Sequence, residues 1–101
     1  AEAVRYVQVN FGESLGVEQL AEVCGKSRRW LEQAFRHELQ RSPSEYLLET
    51  RVDAAKTLLV EDPDIPLGHL AKETGFSGTR QLNRAFQQQT GKAVRDFLRR
   101  S

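Results

Sequence analysis

Apolar residues recur along this chain at helical spacing. Val4, Val7 and Phe11 form one stripe that stops near Gly12. Val17, Leu20, Ala21 and Cys24 make a second, with Gly16 as N-cap and Gly25 as the C-terminal stop. Ser27 suits the start of a third helix, with Leu31, Ala34, Phe35 and Leu39 facing inward. Ser42-Pro43 breaks the pattern and permits a new start, because a first helical turn tolerates proline. A long helix over 44–60 buries Tyr46, Leu47, Val52, Ala55, Leu58 and Leu59. DPDIP at 62–66 ends it. Leu67, Leu70, Ala71 and Thr74 then mark a short helix stopped at Gly75. Leu82, Ala85 and Phe86 mark the next, Gly91 ends it, and Val94, Phe97 and Leu98 suit a closing helix. Alternation of strand type does not persist, so the expectation is an all-α chain.

The pattern repeats. Val17, Leu20, Ala21 and Gly25 align with Leu67, Leu70, Ala71 and Gly75 at an offset of 50. After the glycine the second copy gains one residue. Leu31, Ala34, Phe35, Pro43 and Tyr46 then align with Leu82, Ala85, Phe86, Val94 and Phe97 at an offset of 51. Two copies are too few for a solenoid. A duplicated module on a shared helix fits better: first unit 3–41, linker helix 44–60, second unit 65–101, all in one domain of 1–101.

Each copy reads as a short helix, a glycine turn and a second helix, the helix-turn-helix arrangement. The outer face of the second helix carries Arg28, Arg29, Glu32, Gln33 and Arg36 in one copy, and Thr79, Arg80, Asn83, Arg84 and Gln87 in the other. Arginine bonds guanine O6 and N7 in bidentate fashion, Asn or Gln pairs with adenine, and Glu accepts from cytosine N4. A linker helix of about 17 residues is roughly 25 Å long. Major-groove faces on one side of B-DNA recur about every 34 Å, so one unit at each end of such a rod suits adjacent groove segments.

Composition adds bounds. At 101 residues the chain has the size of one compact domain. Net charge is only +1, but its distribution is uneven. Lys26 to Arg41 holds five cations against Glu32 and Glu38; Ser77 to the end holds six (Arg80, Arg84, Lys92, Arg95, Arg99, Arg100) against Asp96. One basic patch per copy suits a polyanion. The single cysteine, Cys24, precludes an internal disulfide and points to the cytoplasm. It reads as a small apolar residue before a turn. His37 and His69 have no metal-ligand spacing, so neither metal nor cofactor is expected. No apolar run is long enough to span a membrane. No acid/base pair, triad or phosphate-cradling glycine loop suggests an enzyme. Trp30 is expected to be partly buried, Arg51 to pair on a helix surface, and Phe35, Phe76 and Phe86 to be core. The absence of Met, even at position 1, leads us to expect a fragment of a longer protein.

The sequence resembles the DNA-binding domain of the AraC/XylS transcription regulators over almost its whole length. The resemblance rests on LAEVCGKSRRWLEQAF (20–35), RVDAAKTLL (51–59), GFSGTRQLNRAF (75–86) and the Thr-Gly at 90–91. Ser-Arg-Arg-Trp-Leu-Glu near Ser-Pro is similar to the sugar-operon branch, xylose regulators especially. The resemblance implies a seven-helix domain with two recognition helices that regulates transcription by binding double-stranded DNA. It also implies an effector-binding and dimerisation domain elsewhere in the parent protein, and RNA polymerase as a partner. Carried over by position, base contacts fall to Arg28, Arg29, Glu32, Gln33, Thr79, Arg80, Asn83 and Arg84. Phosphate contacts fall to Arg36, Ser44, Gln87 and Val94, with backbone N–H groups acting at Ser44 and Val94. The departures are Gln33 in place of a common Arg, Gly78 in place of a Ser cap, Arg80-Gln81-Leu82 in place of a more aromatic string, and Ala93-Val94 in place of Thr-Pro.

Overall fold

In a computed structural model, residues 2–12 and 16–99 are described. The side chains of Leu98 and Arg99 and all of Arg100, all three singled out from the sequence, lie outside the described residues. Seven helices and no strand occur among the described residues: α1 (Glu2–Asn10), α2 (Val17–Cys24), α3 (Arg28–Leu39), α4 (Pro43–Glu61), α5 (Leu67–Glu73), α6 (Thr79–Thr90) and α7 (Val94–Arg99). The chain divides into two compact units, Ala1–Thr50 and Arg51–Ser101. The boundary falls inside α4. The long helix is therefore no detached connector. Tyr46 and Leu47, in its first half, pack on the core of the first unit. Val52, Ala55 and Leu59, in its second half, are buried in the second.

The first unit closes on Val7, Leu20, Ala21, Leu31 and Phe35. Ala3 belongs to this core too, although the α1 stripe reads through its neighbour Val4, which is half-buried. In the second unit Leu70, Ala71, Phe76, Leu82, Ala85, Phe86 and Val94 are buried. The duplication extends to ring packing. Phe35 meets Tyr46 with centroids 5.8 Å apart, and their counterparts Phe86 and Phe97 meet at 5.2 Å.

The turns repeat as well. Gly25, at φ 66°, lets the Lys26 N–H donate to the Ala21 carbonyl at 3.0 Å. Gly75, at φ 89°, lets Phe76 donate to Ala71 at 2.8 Å. Only glycine enters this left-handed region without steric cost. In the second turn the buried Thr74 donates its hydroxyl to the Leu70 carbonyl at 2.7 Å.

Candidate nucleic-acid interface

The second helix of each unit starts from a defined cap. The Ser27 hydroxyl accepts the Trp30 N–H at 3.1 Å, satisfying one of the open donors of α3. Gly78 begins α6 with extended backbone and no side-chain bond. Gln81 compensates: its carbonyl accepts the Ser77 N–H at 2.7 Å and the Ser77 hydroxyl at 3.0 Å.

An α-helix turns about 100° per residue, so burial on one side fixes what the other side shows. In α3 the buried Leu31 and Phe35 turn Arg29, Gln33 and Arg36 directly outward. In α6 the buried Leu82, Ala85 and Phe86 turn Arg80, Arg84 and Gln87 outward. These two ridges correspond at the offset of 51. Arg28 and Glu32 in α3, and Thr79 and Asn83 in α6, lie to one side of the ridge. Side by side with sequence expectation, the eight base-contact candidates thus fall into two sets. Arg29, Gln33, Arg80 and Arg84 are exposed and make no side-chain hydrogen bond or ion pair among the described residues. Arg28, Glu32 and Asn83 are engaged within the molecule, and Thr79 is exposed beside them.

The engaged residues form two small networks. Arg28 pairs with Glu18 at 2.6 Å and Glu32 at 3.1 Å. The hydrogen bond to Glu32 and the charge of Glu18 hold its pKa above the ordinary value. In α6, the half-buried Asn83 uses Oδ1 to accept the Val94 N–H at 3.1 Å. That bond bears on one phosphate candidate directly. The Val94 N–H is already committed and its side chain is fully buried, so it offers no free clamp at the start of α7.

The start of α4 differs. The helix begins at Pro43 because Ser42 and Glu45 form a reciprocal cap. The Ser42 hydroxyl accepts the Glu45 N–H at 3.1 Å, and the Ser42 N–H donates to Glu45 Oε1 at 3.0 Å. Donation from Ser42 lowers the Glu45 pKa from its ordinary value, with Arg36 and Arg41 adding to the effect. Ser44 is exposed at this helix start and its N–H has no partner among the described residues, while the Glu45 carboxylate turns back to the Ser42 N–H. Arg36, a phosphate candidate, lies 3.8 Å from that carboxylate. Gln87 is exposed and unengaged among the described residues.

The two basic patches therefore differ. In the first, Arg28, Arg36 and Arg41 all face acids, Arg41 through Glu49, and Lys26 sits over the Trp30 ring at 5.0 Å. In the second, Arg80, Arg84, Lys92 and Arg95 have no acidic partner among the described residues. Sequence reasoning missed Glu18 and the Ser42–Glu45 box. The box was readable as Ser-x-x-Glu; the reach of Glu18 across a turn had no local signal.

Trp30 is partly buried, as expected. It is 48% exposed, lining a cavity of about 100 Å³ with Ala3, Val4, Cys24, Leu31 and Phe35. The ring projects from α3 because Leu31 and Phe35 already fill the inner face. Phe35, Phe76 and Phe86 are core as expected. Arg51 is half-buried, and that burial lowers its pKa. Among the described residues no His/Cys/Asp/Glu group has metal-binding geometry, and no helix is long and apolar enough to cross a membrane.

Comparison with known proteins joins this geometry to a family. A family model described as a helix-turn-helix domain matches residues 20–100. The chain is 29% identical over 93 residues to the Msm operon regulatory protein of Streptococcus mutans, covering 92% of this chain and 33% of that protein. It thus spans about a third of the length of the curated relatives it matches. The crystal structure of the DNA-binding domain of AdpA, a global transcriptional factor, in complex with a target DNA superposes with a TM-score of 0.89. The two are 27% identical, over 98% of this chain and 88% of that one. A Chromobacterium violaceum transcriptional regulator with an AraC-type DNA-binding domain gives 0.85 at 27% identity, over 98% and 88%. By description these are regulatory proteins or DNA-binding domains of transcription regulators, not enzymes. Two glycine-turned helix pairs with outward Arg/Gln ridges, matched in sequence and in fold, place the chain in the AraC-type helix-turn-helix family of bacterial transcription regulators.

Proposed function

We propose that this domain binds duplex DNA sequence-specifically, with α3 and α6 entering successive major-groove segments. The observation that carries the reading is the repeated ridge: Arg29, Gln33 and Arg36 on one helix, Arg80, Arg84 and Gln87 on the other, all exposed. Of these only Arg36 has a partner among the described residues. Uncommitted Arg and Gln on a face that the core does not need are suited to base edges. The unpaired cations of the second unit supply phosphate attraction, and with it most of the salt dependence. Arg36 and Gln87 flank the ridges as phosphate contacts, and the exposed Ser44 N–H is a third candidate. Thr79 and Glu32 are secondary readers at the edge of their ridges.

In the parent protein, an effector-binding and dimerisation domain and contact with RNA polymerase complete an activator of a sugar-utilisation operon in the cytoplasm. Support for the sugar assignment is the Ser-Arg-Arg-Trp-Leu-Glu string near Ser-Pro.

Selection of binding sites from random duplexes at near-physiological salt tests the DNA reading. Two enriched boxes about one helical turn apart are expected. A single box removes one helix from the readout, and no enrichment at any salt refutes DNA binding by this domain.

A further inference from the structure

Among the differences between the two units is one linked pair of equivalent positions. Glu32 and Pro43 in the first correspond to Asn83 and Val94 in the second, at the offset of 51. Pro43 and Val94 each open a helix, α4 and α7. Proline has no N–H, so nothing at the start of α4 asks residue 32 for an acceptor. Glu32 turns instead to Arg28. Val94 does have an N–H. Its side chain is fully buried, and the N–H is served by Asn83 Oδ1 at 3.1 Å from eleven residues away.

An amide side chain held in this way is no longer free to orient toward a base. Reading adenine needs both ends of Asn: Oδ1 to accept from N6 and Nδ2 to donate to N7. In Asn83 the oxygen is bonded to a half-buried backbone donor, and giving it up leaves that donor unsatisfied. Oδ1 keeps a second lone pair and Nδ2 both of its donors, but the bond to the Val94 N–H fixes the direction of the amide from within the molecule, so the pair cannot turn to match N6 and N7 of an adenine.

We propose that Asn83 is a positioning residue that fixes the start of α7 against α6, and that Val94 thereby suppresses adenine readout at this place in the groove. The proposal rests on the reading that α6 enters the groove. It assigns base discrimination in the second unit to Arg80 and Arg84, and leaves Asn83 without the bidentate adenine contact.

The test uses this domain, with Asn83→Ala, Val94→Pro and the double variant. Proline suits a first helical position, so Val94→Pro is expected to fold, and circular dichroism checks that. Hydrogen exchange at the Val94 amide is measured first, without DNA. In Asn83→Ala its protection is expected to fall about tenfold or more, which is the loss of one net hydrogen bond of about 1.4 kcal/mol. Unchanged protection overturns the proposal. Site selection follows. Asn83→Ala is expected to leave the base profile as it was. Val94→Pro is expected to add an adenine preference at one position, and the double variant to lose it again. An adenine preference that the parent already shows, and that Asn83→Ala abolishes, also overturns the proposal. Should Val94→Pro not fold, the Val94 exchange and the Asn83→Ala profile decide by themselves. A parent that selects no site, with Val94 protection still dependent on Asn83, removes DNA reading by α6 and retains the positioning role.

Discussion

Gln40, at the end of α3, adopts the left-handed conformation that Gly91 adopts at the end of α6, with φ of 56° and 80°. The two positions are equivalent in the duplicated module, but only the second holds the residue that this geometry favours. Gln40 stops α3 through its N–H, which donates to the Arg36 carbonyl at 3.0 Å, and its side chain reaches the His37 carbonyl at 3.3 Å. Left-handed backbone costs a non-glycine residue about 1–2 kcal/mol, and glycine loses about 0.4–1 of that advantage in the unfolded chain. Gln40→Gly is expected to raise stability by about 0.5–1 kcal/mol. Gly91→Gln is expected to lower it by a similar amount, since a Cβ there meets open space and only backbone strain acts. Urea melts of the two variants check both signs.

The caps of the recognition helices give an asymmetric pair. Ser27→Ala removes the bond to the Trp30 N–H and is expected to cost about 1 kcal/mol. Gly78→Ser adds an oxygen where α6 has no side-chain cap, on extended backbone that any residue adopts. The expected gain is a few tenths of a kcal/mol, about the usual difference between Gly and Ser at an N-cap. A loss in the second variant would mean that Gln81 and Ser77 already do the work of a cap.

Glu45 carries a pH dependence. Its folded pKa lies below the ordinary 4.5, chiefly because the Ser42 N–H donates to the carboxylate. A lowered folded pKa stabilises the native state fully above the unfolded value, and the stabilisation is lost as pH falls through the folded value. The cap at the start of α4 is therefore complete at neutral pH and weakens only below 4.5. An NMR titration of the Glu45 side chain is expected to show a midpoint under 4.5; one at or above it contradicts the reciprocal cap.

Arg84 and Arg28 should behave oppositely on DNA. Arg84 is exposed and has no partner among the described residues, so Arg84→Ala is expected to lose about 1–3 kcal/mol of discrimination at one base pair. Arg28 is held by Glu18 and Glu32, so Arg28→Ala is expected to shift the base profile little. Its effect on stability is expected to be small, because both pairs are exposed to solvent. Binding titrations on the selected site and on single-base variants measure both.

Helical content, the duplication and the inner faces are legible in residue spacing alone. Apolar spacing, Gly25, Gly75 and Gly91 act within a turn or two of chain, so their consequences are local and readable. The Arg/Gln ridges were readable for the same reason, since knowing which side of α3 and α6 is buried fixes the other side. The Ser-x-x-Glu cap at 42–45 was equally local. Which polar residues of α3 and α6 are engaged within the molecule depends on the tertiary fold. Arg28 meets Glu18 because the Gly25 turn folds α2 back toward α3, and Asn83 meets Val94 because α7 packs on α6. Trp30 stands outward because the core was already filled by Leu31 and Phe35. Side-chain pairing across a turn depends on helix crossing geometry, which is set by the summed packing of many residues and has no signature in the spacing of two.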